Sequence, residues 1–186
     1  MKGDMPKIGG RQPVLKPQDV VLCAKLSANS ERWYTFAELG RELYMSASEV
    51  HAAAQRARSS QLVINDEEGL AVSRAAFEEF LLYGIKYAFP AQTGPMTRGM
   101  PTGVAAPPLA QQFDQTVDLA PVWPDADGTV RGISFVPLYP SVPAAARLDR
   151  RLYEILALID ALRGGAARER EAAAAALKEY IYDGHL

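Results

Sequence analysis

Two capping-box patterns, eleven residues apart, dominate the segment 35–59. In Thr35-Phe36-Ala37-Glu38 a hydroxyl and a carboxylate stand three residues apart, and Ser46-Ala47-Ser48-Glu49 repeats the arrangement. Side chains at this spacing satisfy the backbone N–H groups that lack partners in the first turn of a helix. The segment is therefore predicted to form two short helices, with a tight turn at Tyr44 and Met45 between them.

The second predicted helix, about residues 47–59, has two different faces. At about 100° per residue, the small side chains of Ala53, Ala54 and Ala57 gather beside Val50 on the inner face. The opposite face and its edges carry Ser48, His51, Ala52, Gln55, Arg56 and Ser59. Such short polar groups can approach base edges and phosphates closely. A solvated amphipathic helix is the alternative interpretation of this pattern.

The flanking sequence extends the helix pair. Pro17 suits the first position of a helix running to about Ser27, and two short apolar runs around the polar turn 65–69 predict a β-hairpin. With these elements, the phrase from Tyr34 to Val63 resembles the winged helix-turn-helix transcription regulators of the MarR-like kind. The resemblance implies a bacterial, sequence-specific regulator that binds double-stranded DNA through the helix 47–59.

We predict that seven residues of this region contact DNA. Base edges would meet Ser48, Ala52 and Gln55, while the other residues lie beside them or hold the phosphate backbone. The predicted DNA-binding set is Ser46, Ser48, His51, Ala52, Gln55, Arg56 and Arg58.

Charge supports a competing interpretation. The hairpin tip carries Asp66, Glu67 and Glu68, which phosphates would repel, and residues 11–60 hold seven Lys or Arg against five Asp or Glu. The alternative is a protein-interaction module, antitoxin-like or a complex subunit, whose winged helix does not bind DNA and whose middle region wraps a protein partner.

Composition and rare residues exclude other classes. The chain of 186 residues is 48% hydrophobic with a net charge of −2, and no stretch approaches the ~20 apolar residues of a membrane span. We expect a cytoplasmic protein. The lone Cys23 and the distant pair His51 and His185 offer no zinc spacing, and no phosphate-binding glycine loop is present. We therefore predict no enzyme activity, cofactor or metal.

The middle of the chain is dominated by proline. After a helix capped by Ser73 that ends before Pro90, ten of the thirteen prolines fall within residues 90–143. An irregular connecting region is predicted, with an extended hairpin over 117–139. The segments 83–90 and 97–103 resemble a phrase of bacterial regulator-like proteins. Arg98 in the second segment is either an anchor for a partner or phosphate, or a solvated loop residue.

The C-terminal part returns to strong helical periodicity. Apolar residues spaced four and three apart give the a/d seam of a short coiled coil: Leu148, Leu152, Ile155, Ile159 and Leu162. Gly164-Gly165 then separates this helix from a second one over 166–182. The seam is predicted to be a homodimer interface, and the alternative is that it covers the chain's own core.

Together these patterns predict a mainly α protein with a small β-hairpin wing. The expected units are a winged helix-turn-helix domain at 14–90, the proline-rich connecting region at 91–143, and a C-terminal helical hairpin at 144–183. We expect the protein to act as a dimeric regulator of transcription.

Overall fold

The computed structural model describes residues 13–66, 69–113 and 120–182, which form a mixed α/β fold. The helices of these ranges are α1 (Pro17–Ala28), α2 (Phe36–Leu43), α3 (Ala47–Ser59), α4 (Arg74–Glu79, continued by Phe80–Gly84 and Ile85–Ala88), α5 (Val142–Leu148), α6 (Arg150–Gly164) and α7 (Ala167–Tyr182). The strands are β1 (Val63–Asp66), β2 (Gly69–Val72), β3 (Thr93–Pro101), β4 (Pro121–Pro124) and β5 (Val130–Phe135). Among the described residues, no helix combines the length and apolar composition that a membrane span requires.

The first part of the chain follows the predicted order of three helices and a β-hairpin. Helix α1 begins at Pro17, whose missing N–H costs nothing at a helix start. Strands β1 and β2 pair antiparallel from Val63 opposite Val72 to Asp66 opposite Gly69. Glu67, Glu68 and the side chain of Asp66, which form the predicted acidic tip, lie outside the described residues.

Helix α4 confirms the helix predicted before Pro90, with two differences. Ser73 occupies the predicted N-cap position, but its side chain makes no capping hydrogen bond. The helix also widens into a π-helical turn over Phe80–Gly84. A Cβ at Gly84 would lie 2.9 Å from a ring carbon of Phe80, so the glycine leaves room for this ring.

The proline-rich middle region is not irregular, because it contains a second sheet. Strand β3 pairs antiparallel with both β4 and β5, while β4 and β5 run parallel to each other. The predicted hairpin around 125–128 is therefore wrong, since that turn does not reverse the chain. A Cβ at Gly99 would lie 2.0 Å from the carbonyl oxygen of Trp123 in β4, and a Cβ at Gly132 would lie 2.0 Å from that of Ala120, just before β4. Glycine at these two positions therefore permits the close approach of the strands.

A buried polar network fastens this sheet to α6. The carboxylate of Asp160 accepts hydrogen bonds from Trp123 Nε1 at 2.6 Å and from Thr102 Oγ1 at 2.9 Å. It also pairs with Arg163 at 2.6 Å, whose Nε donates to the carbonyl of Phe89 at 2.8 Å. The indole of Trp123 is fully buried. The middle region therefore packs into the protein rather than lying loosely over its surface.

Helix α6 is the central element of the C-terminal part. It packs against α1, α5 and α7, and the hydrophobic core is continuous from α1 through α7. Helices α6 and α7 form the predicted helical hairpin around Gly164 and Gly165. Because α6 fills the centre of the fold, nearly all of its apolar side chains are buried within the chain.

Candidate nucleic-acid interface

Both capping boxes form as predicted at the starts of α2 and α3. Glu38 N donates to Thr35 Oγ1 at 3.2 Å, and Thr35 N donates to the Glu38 carboxylate at 2.8 Å. The corresponding distances for Ser46 and Glu49 are 3.2 Å and 2.9 Å. These backbone and hydroxyl donors lower the pKa of both glutamates, so both carboxylates are charged at neutral pH.

The turn between the two helices is set by one left-handed residue and one glycine. Tyr44 adopts φ 53°, and Met45 N then donates to the carbonyl of Gly40 at 2.9 Å. A Cβ at Gly40 would lie 2.7 Å from the carbonyl oxygen of Met45, so a larger residue would push the helices apart. This contact fixes the angle at which α3 leaves the turn.

The predicted inner face of α3 is confirmed. Its four apolar side chains have no exposed surface, and they pack against α1 and α2: Val50, Ala53, Ala54 and Ala57. Small side chains let α3 approach its neighbours closely. The outer face of α3 therefore points away from the core.

Five of the seven predicted DNA-binding residues are exposed on that outer side. They are Ser46, Ser48, His51, Gln55 and Arg58, while Ala52 is half-buried. The hydroxyls of Ser46 and Ser48 lie 3.1 Å apart, and Gln55 Nε2 lies 3.4 Å from His51 Nε2. The imidazole also meets the edge of the Phe36 ring at a centroid distance of 5.2 Å. These groups form a short polar surface along α3.

Arg56 does not have the predicted role at a phosphate. Its Nε and one terminal nitrogen donate to the carboxylate of Asp19 at 2.9 Å and 2.6 Å. The Asp19 side chain has no exposed surface, and its hydrogen bonds raise the pKa of Arg56. The guanidinium is therefore committed to fastening α3 onto α1. The sequence carries one signal for this pair, the acidic residue Asp19 in the first turn of α1, which the prediction for Arg56 did not take into account.

Arg58 stays at the surface but has a partner as well. Its terminal nitrogen donates to Asn65 Oδ1 at 2.5 Å, which connects the end of α3 to strand β1. This contact is exposed, its partner is neutral, and Arg58 forms no ion pair with another residue that the structure describes. Arg58 can therefore still meet a phosphate beside α3.

A second basic residue of the region is internal. Lys25 Nζ lies 2.6 Å from Asp149 and 2.7 Å from Glu42, and Asn29 Nδ2 donates to the same Asp149 carboxylate at 2.7 Å. This cluster joins α1, α2 and the start of α6, where Asp149 also caps the helix through Leu152 N. Neither Lys25 nor Arg56 adds positive charge to an outer surface.

The middle region reaches the start of α3, which the sequence did not indicate. The hydroxyl of Tyr139 donates to Glu49 Oε1 at 2.8 Å, and Ser141 Oγ donates to the carbonyl of Leu43 at 2.6 Å. The bond from Tyr139 adds to those that lower the pKa of Glu49. The segment after β5 thus supports the helix pair from one side.

The predicted dimer seam lies inside the protein. Leu152, Ile155, Ile159 and Leu162 are at most 4% exposed, because α6 packs between other helices of the same chain. Only Leu148 of the five is exposed, at 62%. The interface assigned to the four buried residues is therefore corrected to internal packing.

Among the residues that the structure describes, no group of three His, Cys, Asp or Glu side chains is placed to hold a metal ion. Cys23 is fully buried in α1, and burial raises the pKa of its thiol far above the usual range. This thiol is therefore protonated and inert at neutral pH.

Comparison of the chain with protein-family models, curated proteins and solved structures gave no match.

Proposed function

We propose that the protein is a winged helix-turn-helix regulator of transcription that reads double-stranded DNA with the outer face of α3. The observation that carries this proposal is the division of α3 between a fully buried inner face of small residues and an exposed outer face of short polar ones. A helix of this kind can enter a major groove because no bulky side chain holds it away from the base edges.

The geometry supports specific roles for the exposed residues. Gln55 presents an amide that can pair with adenine in two-point fashion, and Ser48 lies about two turns earlier along the same helix. Arg58 and Ser46 stand at the two ends of α3, where they can reach phosphates on either side. Arg56 is not among these residues, because it is paired with Asp19.

A homodimer remains part of the proposal, through a surface other than the α6 seam. Few exposed cations lie beside α3, so one subunit would bind DNA weakly, at about 10⁻⁴ to 10⁻⁶ M. A second copy would place another α3 about one turn of DNA away and raise the affinity through high effective concentration. Light scattering of the protein with and without its duplex tests this pairing.

Selection from random duplexes tests the proposed function. The wild-type protein should enrich a defined sequence, and Ser48→Ala combined with Gln55→Ala should lose that enrichment while remaining folded. Lys178→Ala, an exposed change on α7, is the matched control and should enrich the wild-type sequence. Equal enrichment by all three proteins would mean that α3 is not the reading element.

The competing proposal is a protein-interaction module whose winged helix does not bind DNA. It is supported by the internal engagement of Lys25 and Arg56, which leaves little positive charge around α3. On this proposal the wild-type protein is not retained on any duplex at low salt, whereas the DNA-binding proposal requires retention. Measuring retention on duplex DNA with a single preparation therefore distinguishes the two proposals.

A further inference from the structure

Two arginines face each other across the second sheet. In the antiparallel pairing of β3 with β5, Arg98 lies directly opposite Arg131, and both side chains are exposed. Directly opposed residues of an antiparallel pair lie on the same face with Cβ atoms about 4.5–5.5 Å apart. The two guanidinium groups therefore share one patch of surface.

No carboxylate of the described residues compensates this pair of charges. Neither arginine takes part in any ion pair among those residues. Asp125 is adjacent, since its N–H donates to the carbonyl of Arg98 at 3.2 Å, but its carboxylate is already paired with Arg147. Like charges in this position destabilise a sheet unless an anion lies between them.

The chemistry of the pair favours a phosphate. Each guanidinium presents a planar fork of N–H donors that matches two oxygens of a phosphate group. The neighbouring Met96 on the same face of β3 is uncharged and adds no compensating negative charge. Two such forks side by side are suited to successive phosphates or to one phosphate held from two sides.

A short stretch of chain connects this patch to a residue that contacts the start of α3. Strand β5 contains Arg131 and ends at Phe135, and the segment after it contains Tyr139, whose hydroxyl donates to Glu49 in the first turn of α3. Tyr139 lies eight positions after Arg131, so their Cα atoms are at most about 29 Å apart. This limit is shorter than one turn of duplex DNA, about 34 Å.

We propose that Arg98 and Arg131 bind phosphodiester groups of the duplex that flanks the segment read by α3. This inference rests on the proposed function and extends its footprint from the helix pair to the second sheet. The contacts would be independent of base sequence, because phosphates carry none. They would supply positive charge that the surroundings of α3 lack.

The salt dependence of duplex binding tests the inference. Arg98→Gln with Arg131→Gln should weaken binding to the selected duplex and to an unrelated duplex by the same factor. The slope of log affinity against log salt concentration should become shallower by about 2, since each phosphate contact contributes about 0.9. Arg98→Lys with Arg131→Lys keeps both charges and should retain most of the slope.

The control removes two positive charges elsewhere. Arg168→Gln with Lys178→Gln changes exposed residues of α7 by the same total charge and should leave the slope unchanged. Circular dichroism of all variants checks that the fold is intact. An equal change of slope in this control would mean that net charge, rather than the arginine pair, is responsible, and would overturn the inference.

The remaining outcomes separate this inference from the proposed function. An unchanged slope in the Arg-to-Gln variant, with binding still sensitive to Gln55→Ala, overturns the inference and leaves the proposed function standing. Failure of the wild type to bind any duplex overturns both. Binding of inorganic phosphate at the pair, seen in the Arg Nε–H signals by NMR with no further change on adding duplex, also overturns the inference.

Discussion

Arg56 and Asp19 form a two-point ion pair that fastens α3 to α1. The guanidinium donates to both carboxylate oxygens, at 3.2 and 2.9 Å from Nε and at 2.6 Å from a terminal nitrogen. The Asp19 carboxylate also accepts the N–H of Lys16 at 2.8 Å and so caps α1. One buried carboxylate thus sets both the start of α1 and the position of α3.

Removing Arg56 should therefore destabilise the fold. Arg56→Ala leaves the buried Asp19 charge without its partner, and we expect the free energy of unfolding to fall by about 3–5 kcal/mol. Urea denaturation measures this change. Arg58→Ala, at an exposed position on the same helix, is the control and should change stability by no more than about 0.5 kcal/mol. Equal effects of the two substitutions would contradict the assignment of Arg56 to the interior.

The seam of α6 gives a second stability prediction. Ile159→Ala should lower the free energy of unfolding by about 2–5 kcal/mol, because it opens a cavity in the core. Leu148→Ala, at the exposed end of α5, should cost less than about 0.5 kcal/mol. Denaturation curves and light scattering, measured on the same samples, distinguish internal packing of the seam from a homodimer interface. A stable, folded Ile159→Ala monomer derived from a dimeric wild type would restore the seam as an interface.

The Lys25 cluster should make stability fall in acid. Burial opposes ionisation of Asp149, but hydrogen bonds from Lys25, Leu152 N–H and Asn29 outweigh it and lower the pKa of this carboxyl. A carboxyl whose pKa is lowered by folding stabilises the protein when the pH is above its pKa in the unfolded chain, about 3.9. This stabilisation is lost as the pH falls through its pKa in the folded protein. The contribution of Asp149 is therefore lost below about pH 4.

Asp149→Asn should flatten this acid dependence. The urea midpoint, measured from pH 7 down to pH 2, should be lower than that of the wild type at neutral pH and should converge with it in acid. Asp127→Asn, at an exposed position, is the control and should leave the curve of the wild type unchanged. Lys25 has a raised pKa, so its contribution is fully present below the unfolded value, about 10.4, and is lost as the pH rises through the folded value. Parallel curves for wild type and Asp149→Asn would refute the role of this cluster.

The contact of Tyr139 with α3 can be tested by titration. Hydrogen bonds from the backbone N–H and the hydroxyl of Ser46 are the largest causes of the lowered pKa of Glu49, and the hydrogen bond from the hydroxyl of Tyr139 lowers it further. Tyr139→Phe removes that donor, so Glu49 should titrate at a higher pH in side-chain carboxyl NMR spectra. Tyr83→Phe, remote from any glutamate bond of α3, serves as the control. An unchanged Glu49 titration in Tyr139→Phe would show that the bond is not formed in solution.

The helix pair could be predicted from sequence because its signals are local. A capping box satisfies its own donors within four residues, and the conformation of Tyr44 and the contact at Gly40 are local to the turn. The buried face of α3 follows from spacing within one helix. These features need no knowledge of the rest of the chain, and the structure confirms them.

The second sheet and the inner positions of Arg56 and Lys25 depend on distant partners. Arg56 meets a residue 37 positions away, and Lys25 one that is 124 positions away. Periodicity cannot tell whether an arginine on a helix edge points to solvent or to a buried carboxylate. Proline likewise excludes helix but not strand, so the extended segment at 117–139 was predicted, whereas β3 and the parallel arrangement of β4 and β5 were not.

The apolar seam illustrates a different limit. Spacing of four and three residues identifies a side that must be covered, but a second copy and the chain's own helices cover it equally well. The missing information is the burial of α6 by α1, α5 and α7. That packing also brings Asp160 beside Trp123, which no local pattern indicates.

The most direct test of the account is the affinity of Gln55→Ala for duplexes that differ from the selected sequence at one base pair each. Because Gln55 can pair with one adenine, the variant should lose about 1–3 kcal/mol on the selected duplex and lose discrimination at a single position. Lys178→Ala should keep the full pattern of the wild type. A Gln55→Ala protein with wild-type affinity and wild-type discrimination at every position would contradict the proposal that α3 reads DNA.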